Sequence, residues 1–140
     1  MDISRDANAL RALLTSAKRI AVVGCSPSPE RDSHSVTQYL IDAGYEVHPV
    51  NPQHPTILGR MSYPDLRSVP GPIDIVDVFR RPDAVPAIVE EAIAAGARAV
   101  WMQLGAGHAA AAKRASDAGL TVVVEQCIRT AHQMLMKRKR

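Results

Sequence analysis

The feature that most constrains this chain is an alternation of short apolar runs with segments of helical spacing. The five apolar runs are Arg19–Gly24, Tyr45–Val50, Ile73–Phe79, Ala99–Gly105 and Leu120–Glu125. Continuous apolar runs bounded by turn residues are typical of strands in a parallel sheet, because helices cover both faces of such a sheet. The alternation therefore predicts βαβ units, and with them a Rossmann-like, doubly wound α/β fold with one parallel five-stranded sheet.

The segments between the runs carry apolar residues at helical spacing and end at glycines. The predicted helices are Ile3–Ala17, a helix that opens near Ser33 and stops at Gly44, Asp83–Ala95, His108–Ala118, and a last helix from Cys127–Ile128 through Met136. We expect Asp2 or Ser4 to cap the first helix and Asp83 to cap the third. Residues 53–72 are predicted to be irregular, apart from a short helical turn around Pro64–Ser68.

Right-handed crossover connections leave few topologies for five such strands. The order that we expect is 3-2-1-4-5, with helices on both faces of the sheet. In sheets of this kind ligands bind beyond the carboxyl ends of the strands, at the point where the strand order reverses. We therefore expect a nucleotide-type ligand between strands 1 and 4. The prediction is one domain over residues 1–140, with its core at about 10–130 and a basic tail at 137–140.

Composition excludes several other classes of protein. The net charge is +3, but four of the 17 basic residues form the C-terminal run Lys137–Arg140, so the rest is near neutral and a nucleic-acid surface is not expected. Two widely separated cysteines and five scattered histidines give neither a disulfide framework nor metal-site spacing. No apolar stretch reaches the roughly 18 residues that span a membrane. The expected location is therefore the cytoplasm.

The loop after the first strand carries the strongest chemical signal. Gly24 permits a tight turn, and hydroxyl and guanidinium donors follow it: Ser26, Ser28, Arg31, Ser33 and Ser35. The helix that opens near Ser33 offers free N–H groups, which suit phosphate. His34 lies at the same edge and is a further candidate donor, although an exposed or capping histidine is the more common situation.

The standard dinucleotide fingerprint is missing from this loop. Gly-x-Gly-x-x-Gly would place glycine at positions 26 and 29, where the chain has Ser26 and Pro29. The acid that would bind the ribose diol after the second strand is replaced by Asn51. Ordinary NAD binding is therefore disfavoured, whereas a phosphorylated ribose or another nucleotide remains open.

The loops after the other strands supply further candidate residues. Arg80 and Arg81 follow the third strand and can pair with phosphates. Gln103 and Gly105 end the fourth strand, and Gln103 can either bridge to a ligand or hold the neighbouring loop. Cys25 and Cys127 each follow a strand, where a thiol is either a buried small residue or a reactive group. Trp101 lies within the fourth strand and is expected in the core.

Five motifs in this order resemble one known family. They are Val23–Ser26, Pro49–Pro52, Asp77–Pro82, Val100–Gly105 and Cys127–Ile128. The chain resembles the small stand-alone coenzyme A-binding domain proteins, which look like the N-terminal domain of the succinyl-CoA synthetase alpha subunit. The resemblance covers roughly residues 10–130.

The resemblance implies a set of binding residues for coenzyme A. Gly24, Ser26 and the segment Arg31–Ser35 would hold the phosphates. Val50, Asn51 and Pro52 would lie near adenine and ribose, and Phe79, Arg80 and Arg81 would lie along the pyrophosphate and pantetheine. In the synthetase a separate domain supplies a phosphorylated histidine, and none of the five histidines here lies in a matching loop, so ligase chemistry is not expected.

The function that these observations favour is binding of coenzyme A or acyl-CoA without catalysis by this chain. Two alternatives use the same sheet edge: a small enzyme dependent on NADP or acyl-CoA, and a redox or regulatory switch that uses Cys25 or Cys127. The sequence leaves open whether a protein partner or a second copy of the chain binds as well.

Overall fold

The computed structural model describes Met1–Met136; the predicted basic tail at 137–140 lies outside the described residues. Five helices and seven strands follow one another along the chain. They are α1 (Ala7–Ser16), β1 (Arg19–Val23), α2 (Asp32–Asp42), β2 (Glu46–Val50), β3 (Thr56–Ile57), β4 (Arg60–Met61), β5 (Ile75–Val78), α3 (Val85–Ala94), β6 (Ala99–Met102), α4 (Ala109–Asp117), β7 (Thr121–Val124) and α5 (Ile128–Leu135). The predicted α/β fold with a parallel five-stranded sheet is confirmed.

The order of the strands differs from the expected one. The sheet runs β2-β1-β5-β6-β7, so that the third predicted strand pairs with the first and the order is 2-1-3-4-5. The expected order 3-2-1-4-5 is therefore wrong. The point of reversal lies between β1 and β5, not between strands 1 and 4 as predicted.

The burial of two strands explains this order. All four residues of β5 are buried, as expected for a strand with neighbours on both sides and helices on both faces. In contrast, β2 begins with the exposed Glu46 and contains Pro49, which has no N–H to donate to a ladder. Proline in a sheet is confined mainly to edges, so β2 suits the edge and β5 suits the centre.

Two apolar layers cover the two faces of the sheet. On one face α3 and α4 pack over Val76, Val78, Val100 and their neighbours. On the other face α1, α2 and α5 pack over Ile20, Val22, Trp101 and their neighbours. Trp101 is fully buried, as predicted, and its Nε1 donates to the Gln126 carbonyl oxygen at 2.8 Å.

The ends of several elements differ from the sequence prediction. Asp6, not Asp2 or Ser4, caps α1 by accepting from the Ala9 N–H at 3.0 Å. Asp2 instead lies in a short parallel bridge beside β7, paired with Val122. Asp83 lies inside a 3₁₀ turn, Pro82–Ala84, and caps no helix. Both helices therefore begin at a different residue from the one predicted from cap preferences.

The segment 53–72 contains more structure than expected. A two-stranded antiparallel hairpin, β3 with β4, turns at Leu58 and Gly59, both of which have positive φ. The predicted helical turn is a 3₁₀ turn at Leu66–Ser68, capped by Asp65. Within Met1–Met136, no helix is both long and apolar enough to cross a membrane.

Candidate functional site

A cleft of about 880 Å³ lies at the carboxyl edge of the sheet, at the point where the strand order reverses. Its walls come from the loops after β1, β2, β5 and β6, as expected for a doubly wound sheet. The residues that line it are Gly24, Ser26, Pro27, Ser28, Arg31, Asp32, Ser33, Val50, Asn51, Pro52, Gln53, His54, Phe79, Arg80, Arg81, Pro82, Leu104, Gly105 and Ala106. A volume of this size accommodates a large organic ligand.

The floor of the cleft is a close approach between the ends of β1 and β5. Gly24 has φ +86°, a conformation that side-chain-bearing residues rarely adopt. A β-carbon at this position would collide with the Phe79 carbonyl oxygen and lie 2.9 Å from the Arg80 Cδ. Glycine is therefore required here both by the backbone conformation and by the space.

The serines of the first loop organise its backbone. Ser33 Oγ accepts from the Ser26 N–H at 3.0 Å, and Ser26 Oγ accepts from the Ser28 N–H at 3.1 Å. Each hydroxyl still carries a proton of its own. Over the described residues neither hydroxyl donates to a protein acceptor. Both remain free to donate to a ligand in the cleft.

The start of α2 faces the cleft with no side-chain cap. The N-cap residue is Arg31, and its side chain makes no capping hydrogen bond. The first N–H groups of a helix lack partners inside the helix, so this end offers donors and the positive end of the helix dipole. Asp32 in the first turn partly offsets that charge.

Three arginines give the cleft its positive charge. Arg31, Arg80 and Arg81 line it from two loops, and all three are exposed. Arg81 makes a loose ion pair with Asp83, at 3.6 Å between solvent-exposed groups, which adds little stability. A guanidinium group binds phosphate through two parallel N–H donors, so this set suits a ligand with several phosphates.

Asn51 joins two loops of the cleft. Its Nδ2 donates to the Cys25 carbonyl oxygen at 3.0 Å, and its Oδ1 accepts from the Gln53 N–H at 2.9 Å. The side chain uses its donor and its acceptor on different partners, which an aspartate could not do. The neutral residue after β2 is therefore a structural part of the cleft wall.

The opposite wall is held by a carboxylate. Glu125 has φ +56° and accepts from the Gly105 N–H at 3.1 Å and the Gly107 N–H at 2.6 Å. These N–H groups would otherwise be free at the edge of the cleft. The beginning of the loop after β6 is thus fixed by a residue at the end of β7. Leu104, two-thirds exposed, projects from this wall.

Four residues predicted from the sequence do not line the cleft. Cys25 is fully buried, and its thiol donates to the Thr37 Oγ1 at 3.4 Å. Gln103 is buried, and its Oε1 accepts from the Ile128 N–H at 2.9 Å, which is the loop-holding role among the two expected. His34 and Ser35 lie within α2 and are half-buried outside the lining.

The lining also includes Ser28 and Asp32, which the sequence prediction covered as a loop donor and as part of the segment Arg31–Ser35, and six residues that it did not name as binding residues. These six are Pro27, Gln53, His54, Pro82, Leu104 and Ala106. Five of them directly adjoin a predicted residue, and His54 lies two positions after Pro52.

The two cysteines have opposite environments. Burial raises the pKa of the Cys25 thiol, the hydrogen bond to Thr37 opposes that change, and the nearby Asp77 carboxyl adds to it. Partial burial also acts to raise the pKa of Cys127, but donors from Thr130, Gln103 and the Arg129 N–H outweigh it and lower the pKa below its ordinary value. The more reactive thiol is therefore Cys127.

The cleft offers donors and positive charge but little acid–base chemistry. Within Met1–Met136 no group of three or more histidine, cysteine, aspartate or glutamate side chains has metal-binding geometry. Asp32 and His54 are the acid and the histidine of the lining, and they come from different loops.

Comparisons with known proteins identify the family of this chain and relatives with the same fold. The family model described as "CoA binding domain" matches residues 18–133. Protein YneT of Bacillus subtilis (strain 168) is 42% identical over 123 residues, which are 88% of this chain and 91% of YneT. A solved structure of a hypothetical protein from Pyrococcus horikoshii OT3 superposes with a TM-score of 0.94 at 40% identity, covering 98% of this chain and 97% of that one.

A more distant similarity connects the chain to a larger enzyme. Acetate–CoA ligase [ADP-forming] I of Archaeoglobus fulgidus is 31% identical over 74 residues, which are 53% of this chain. The matched part is only 11% of that ligase. The activity of the whole ligase therefore does not transfer to this chain through the match.

Proposed function

This chain belongs to the CoA binding domain family, and we propose that it binds coenzyme A or an acyl-CoA in the cleft at the carboxyl edge of its sheet. The observation that carries the proposal is that the loops after β1, β2, β5 and β6, all within the family match, meet in one positively charged cleft. The binding residues that we propose include those of the sequence prediction that line this cleft.

The charges of the cleft fit the phosphates of coenzyme A. The ligand carries a pyrophosphate and a separate ribose phosphate, so it needs cations at more than one place. Arg31 comes from the loop after β1, and Arg80 and Arg81 come from the loop after β5. The uncapped start of α2 and the Ser26 hydroxyl add uncharged donors between them.

The remaining lining fits the uncharged parts of the ligand. Val50 and Pro52 offer an apolar surface near Asn51, where a purine can lie. Phe79 and Leu104 offer apolar contacts on the other side, where a pantetheine arm or an acyl chain can lie. Since Asn51 is occupied by two loop hydrogen bonds and carries no charge, a ribose diol finds no carboxylate at this position, and NAD is not the ligand that we propose.

We further propose that the chain binds this ligand without transforming it. A general acid or base has to lie within hydrogen-bond reach of the reacting group and be oriented by a partner. Of the groups in the lining that could transfer a proton near neutral pH, Asp32 is exposed, and His54 makes no hydrogen bond to a described side chain. This arrangement supports binding better than it supports proton transfer.

A calorimetric titration of the full chain tests the proposal. We expect saturable binding of coenzyme A and acetyl-CoA, weaker binding of NADP and AMP, and no turnover of acetyl-CoA over hours. At roughly one hundred times the dissociation constant, coenzyme A should raise the free energy of unfolding by about 2.7 kcal/mol. Binding of NADP in preference to coenzyme A would overturn the proposal, and so would an absence of any heat with millimolar coenzyme A.

Charge variants test whether the ligand binds in the cleft. Arg31→Gln and Arg80→Gln should each weaken coenzyme A binding several-fold and reduce its dependence on salt, because each removes an exposed cation that phosphate can pair with. Arg98→Gln is the matched control: Arg98 lies at the opposite edge of the sheet, where its guanidinium donates to Ser16 Oγ. Equal loss of affinity in all three variants would argue against the cleft as the site.

A further inference from the structure

A fully buried carboxyl group lies under α5 with no hydrogen-bond partner. Asp77 is in the centre of β5, paired with Val22 of β1 and Trp101 of β6. Its side chain has 0% exposure, and within Met1–Met136 neither of its carboxylate oxygens finds a partner. An orphaned acid in a sheet core is costly, and residues of similar shape without charge would be more stable there.

The register of the sheet shows which helices face Asp77. Val22 and Trp101 are directly opposite it and belong to the layer covered by α1, α2 and α5. The Asp77 side chain therefore points to that layer. Cys25 and the side chain of Cys127 pack into the same layer, close to the carboxyl edge of the sheet.

Cys127 lies at the start of α5, where the backbone favours a thiolate. It is the N-cap residue, and its side chain makes no capping hydrogen bond. Burial acts to raise the pKa of its thiol, but the nearby N–H groups of Arg129 and Thr130, the Thr130 hydroxyl and the Gln103 side chain lower it. The same Gln103 also accepts from the Ile128 N–H, so it fixes the start of α5 to the end of β6.

The position of Gln103 links this thiol to the cleft. The next residues, Leu104, Gly105 and Ala106, line the cleft, whereas Gln103 turns back to α5. Cys127 does not itself line the cleft, but it directly precedes Ile128 and is half-buried, whereas Cys25 is fully buried. Of the two thiols, only Cys127 is accessible to a reagent without opening the core.

We propose that Cys127, with the buried carboxyl group of Asp77 beside it, is a thiol-exchange site that takes the disulfide form of coenzyme A. The proposal rests on the proposed function, because the ligand is the disulfide of the molecule that the cleft would hold. The Cys127 thiol loses its proton to water, and the thiolate attacks one sulfur of the coenzyme A disulfide. The ligand S–S bond breaks, a bond forms between Cys127 Sγ and that sulfur, and the other coenzyme A leaves as a thiolate that takes a proton from water.

Asp77 affects this reaction through charge. Burial raises the pKa of Asp77 well above its ordinary value, and a negative charge on Cys127 raises it further. Because the two groups oppose each other's ionisation, a neutral Asp77 leaves the negative charge to the sulfur. Other titratable or charged groups of the surrounding elements include Cys25, hydrogen-bonded to Thr37, and Arg129, whose guanidinium donates to Ser35 Oγ at 3.3 Å. They also include His132 of α5, whose Nδ1 lies 2.7 Å from the Tyr39 hydroxyl of α2.

Intact-mass measurement of the reduced protein with coenzyme A disulfide tests the exchange. We expect one coenzyme A adduct on the wild type and on Cys25→Ser, and none on Cys127→Ser. Glutathione disulfide should react more slowly at equal concentration, because it lacks the nucleotide that the cleft holds. Adenosine 3′,5′-bisphosphate, which has the ribose phosphate and the inner 5′-phosphate but no thiol, should slow the coenzyme A adduct and leave the glutathione adduct unchanged.

Two outcomes separate this inference from the proposed function. If coenzyme A binds in the calorimeter but no adduct forms on Cys127, or if the adduct forms on Cys25, the exchange site is overturned and the binding function stands. If coenzyme A does not bind and Cys127 reacts equally with both disulfides, both proposals fail, and the thiol is simply reactive.

The role of Asp77 has a separate readout. The rate of Cys127 alkylation by iodoacetamide, followed from pH 5 to 10, should move to lower pH in Asp77→Asn, since asparagine removes the carboxyl that competes with the sulfur for a negative charge. Asp77→Val is the second variant, because a β-branched residue suits the strand if asparagine is not tolerated. Both should keep the wild-type circular dichroism spectrum. An unchanged pH profile in a folded variant would remove Asp77 from the site.

Discussion

The α-carbon of Gly24 approaches the Phe79 carbonyl so closely that a β-carbon at Gly24 would collide with the oxygen. The two residues stand at the carboxyl ends of β1 and β5, the neighbouring strands between which the strand order reverses. The Phe79 N–H donates to the Val23 carbonyl oxygen at 2.8 Å, which holds the two strand ends together. The floor of the cleft thus depends on the absence of a side chain at one position.

Substitution at Gly24 should therefore lower the free energy of unfolding by more than the unfavourable backbone conformation alone would. In Gly44→Ala the new β-carbon meets no atom within 4 Å and the cost is the left-handed backbone, about 1–2 kcal/mol. Gly24→Ala adds a collision with backbone that cannot move freely, so we expect a larger loss in the free energy of unfolding, measured with urea, together with loss of coenzyme A binding. Equal losses in the two variants would mean that the β1 and β5 ends separate easily.

Asn51→Asp should weaken both the fold and the cleft. The aspartate cannot donate to the Cys25 carbonyl oxygen, and two acceptors would then face each other at about 3 Å. We expect a loss of about 1–3 kcal/mol in the free energy of unfolding and weaker coenzyme A binding, because a buried acceptor loses its partner and a negative charge enters the cleft. Asn8→Asp is the control, since an acid in the first turn of α1 is favourable. A stable Asn51→Asp variant that gains NAD binding would contradict the role assigned to this side chain.

Asp74 should make stability depend on pH in the acid range. Its Oδ2 accepts from the N–H groups of Lys18 and Arg19, at 2.8 and 2.9 Å. Burial acts to raise its pKa, but these N–H groups and the charges of Arg98 and Arg19 outweigh burial and lower the pKa below its ordinary value of 3.8. Because the folded state prefers the carboxylate, this stabilisation is present above pH 3.8 and is lost as the pH falls through the folded pKa.

The measurement compares the wild type with Asp74→Ala in urea at several pH values. We expect Asp74→Ala to lose about 1–2 kcal/mol at pH 7, towards the lower end of the range for hydrogen bonds to charged groups, since a fifth of the side chain is exposed. The difference should shrink below pH 3.8. Asp117→Ala, which removes an exposed pair with Lys113, should change stability much less. A difference that persists unchanged at pH 2 would show that the carboxylate charge is not the cause.

The apolar runs of the sequence predicted the strands well, because burial on both faces leaves a continuous apolar signature. Ile75–Val78 shows this, since all four residues are buried. The strand order could not be obtained in the same way, because an apolar run shows that a strand is covered and does not show which strand lies beside it. Pro49 was the informative residue: a missing N–H favours the edge position that β2 has.

The first loop of the cleft could also be predicted. Glycine, serine and arginine after the first strand of a parallel sheet together provide the tight turn and the donors that a phosphate site needs. The Glu125 contact with the loop after β6 could not, since it joins residues that are 18 and 20 positions apart and depends on a positive φ. The burial of Asp77 could not be predicted either. An acid between two valines gives no sign in the sequence that its carboxyl group is fully buried and without a partner.

Two substitutions at Glu125 separate the effect of its backbone strain on stability from the effect of its hydrogen bonds. Glu125→Ala loses the acceptor for the Gly105 and Gly107 N–H groups and keeps the left-handed conformation, φ +56°. Glu125→Gly loses the same acceptor but relieves the strain, so it should be more stable than the alanine variant by about 1 kcal/mol, the reverse of the usual order. Urea unfolding of both variants measures this. The control pair, Asp117→Ala and Asp117→Gly at the end of α4, should show the usual order. If alanine is the more stable residue at both positions, the left-handed conformation at Glu125 is not strained, and its carboxylate alone positions the wall of the cleft.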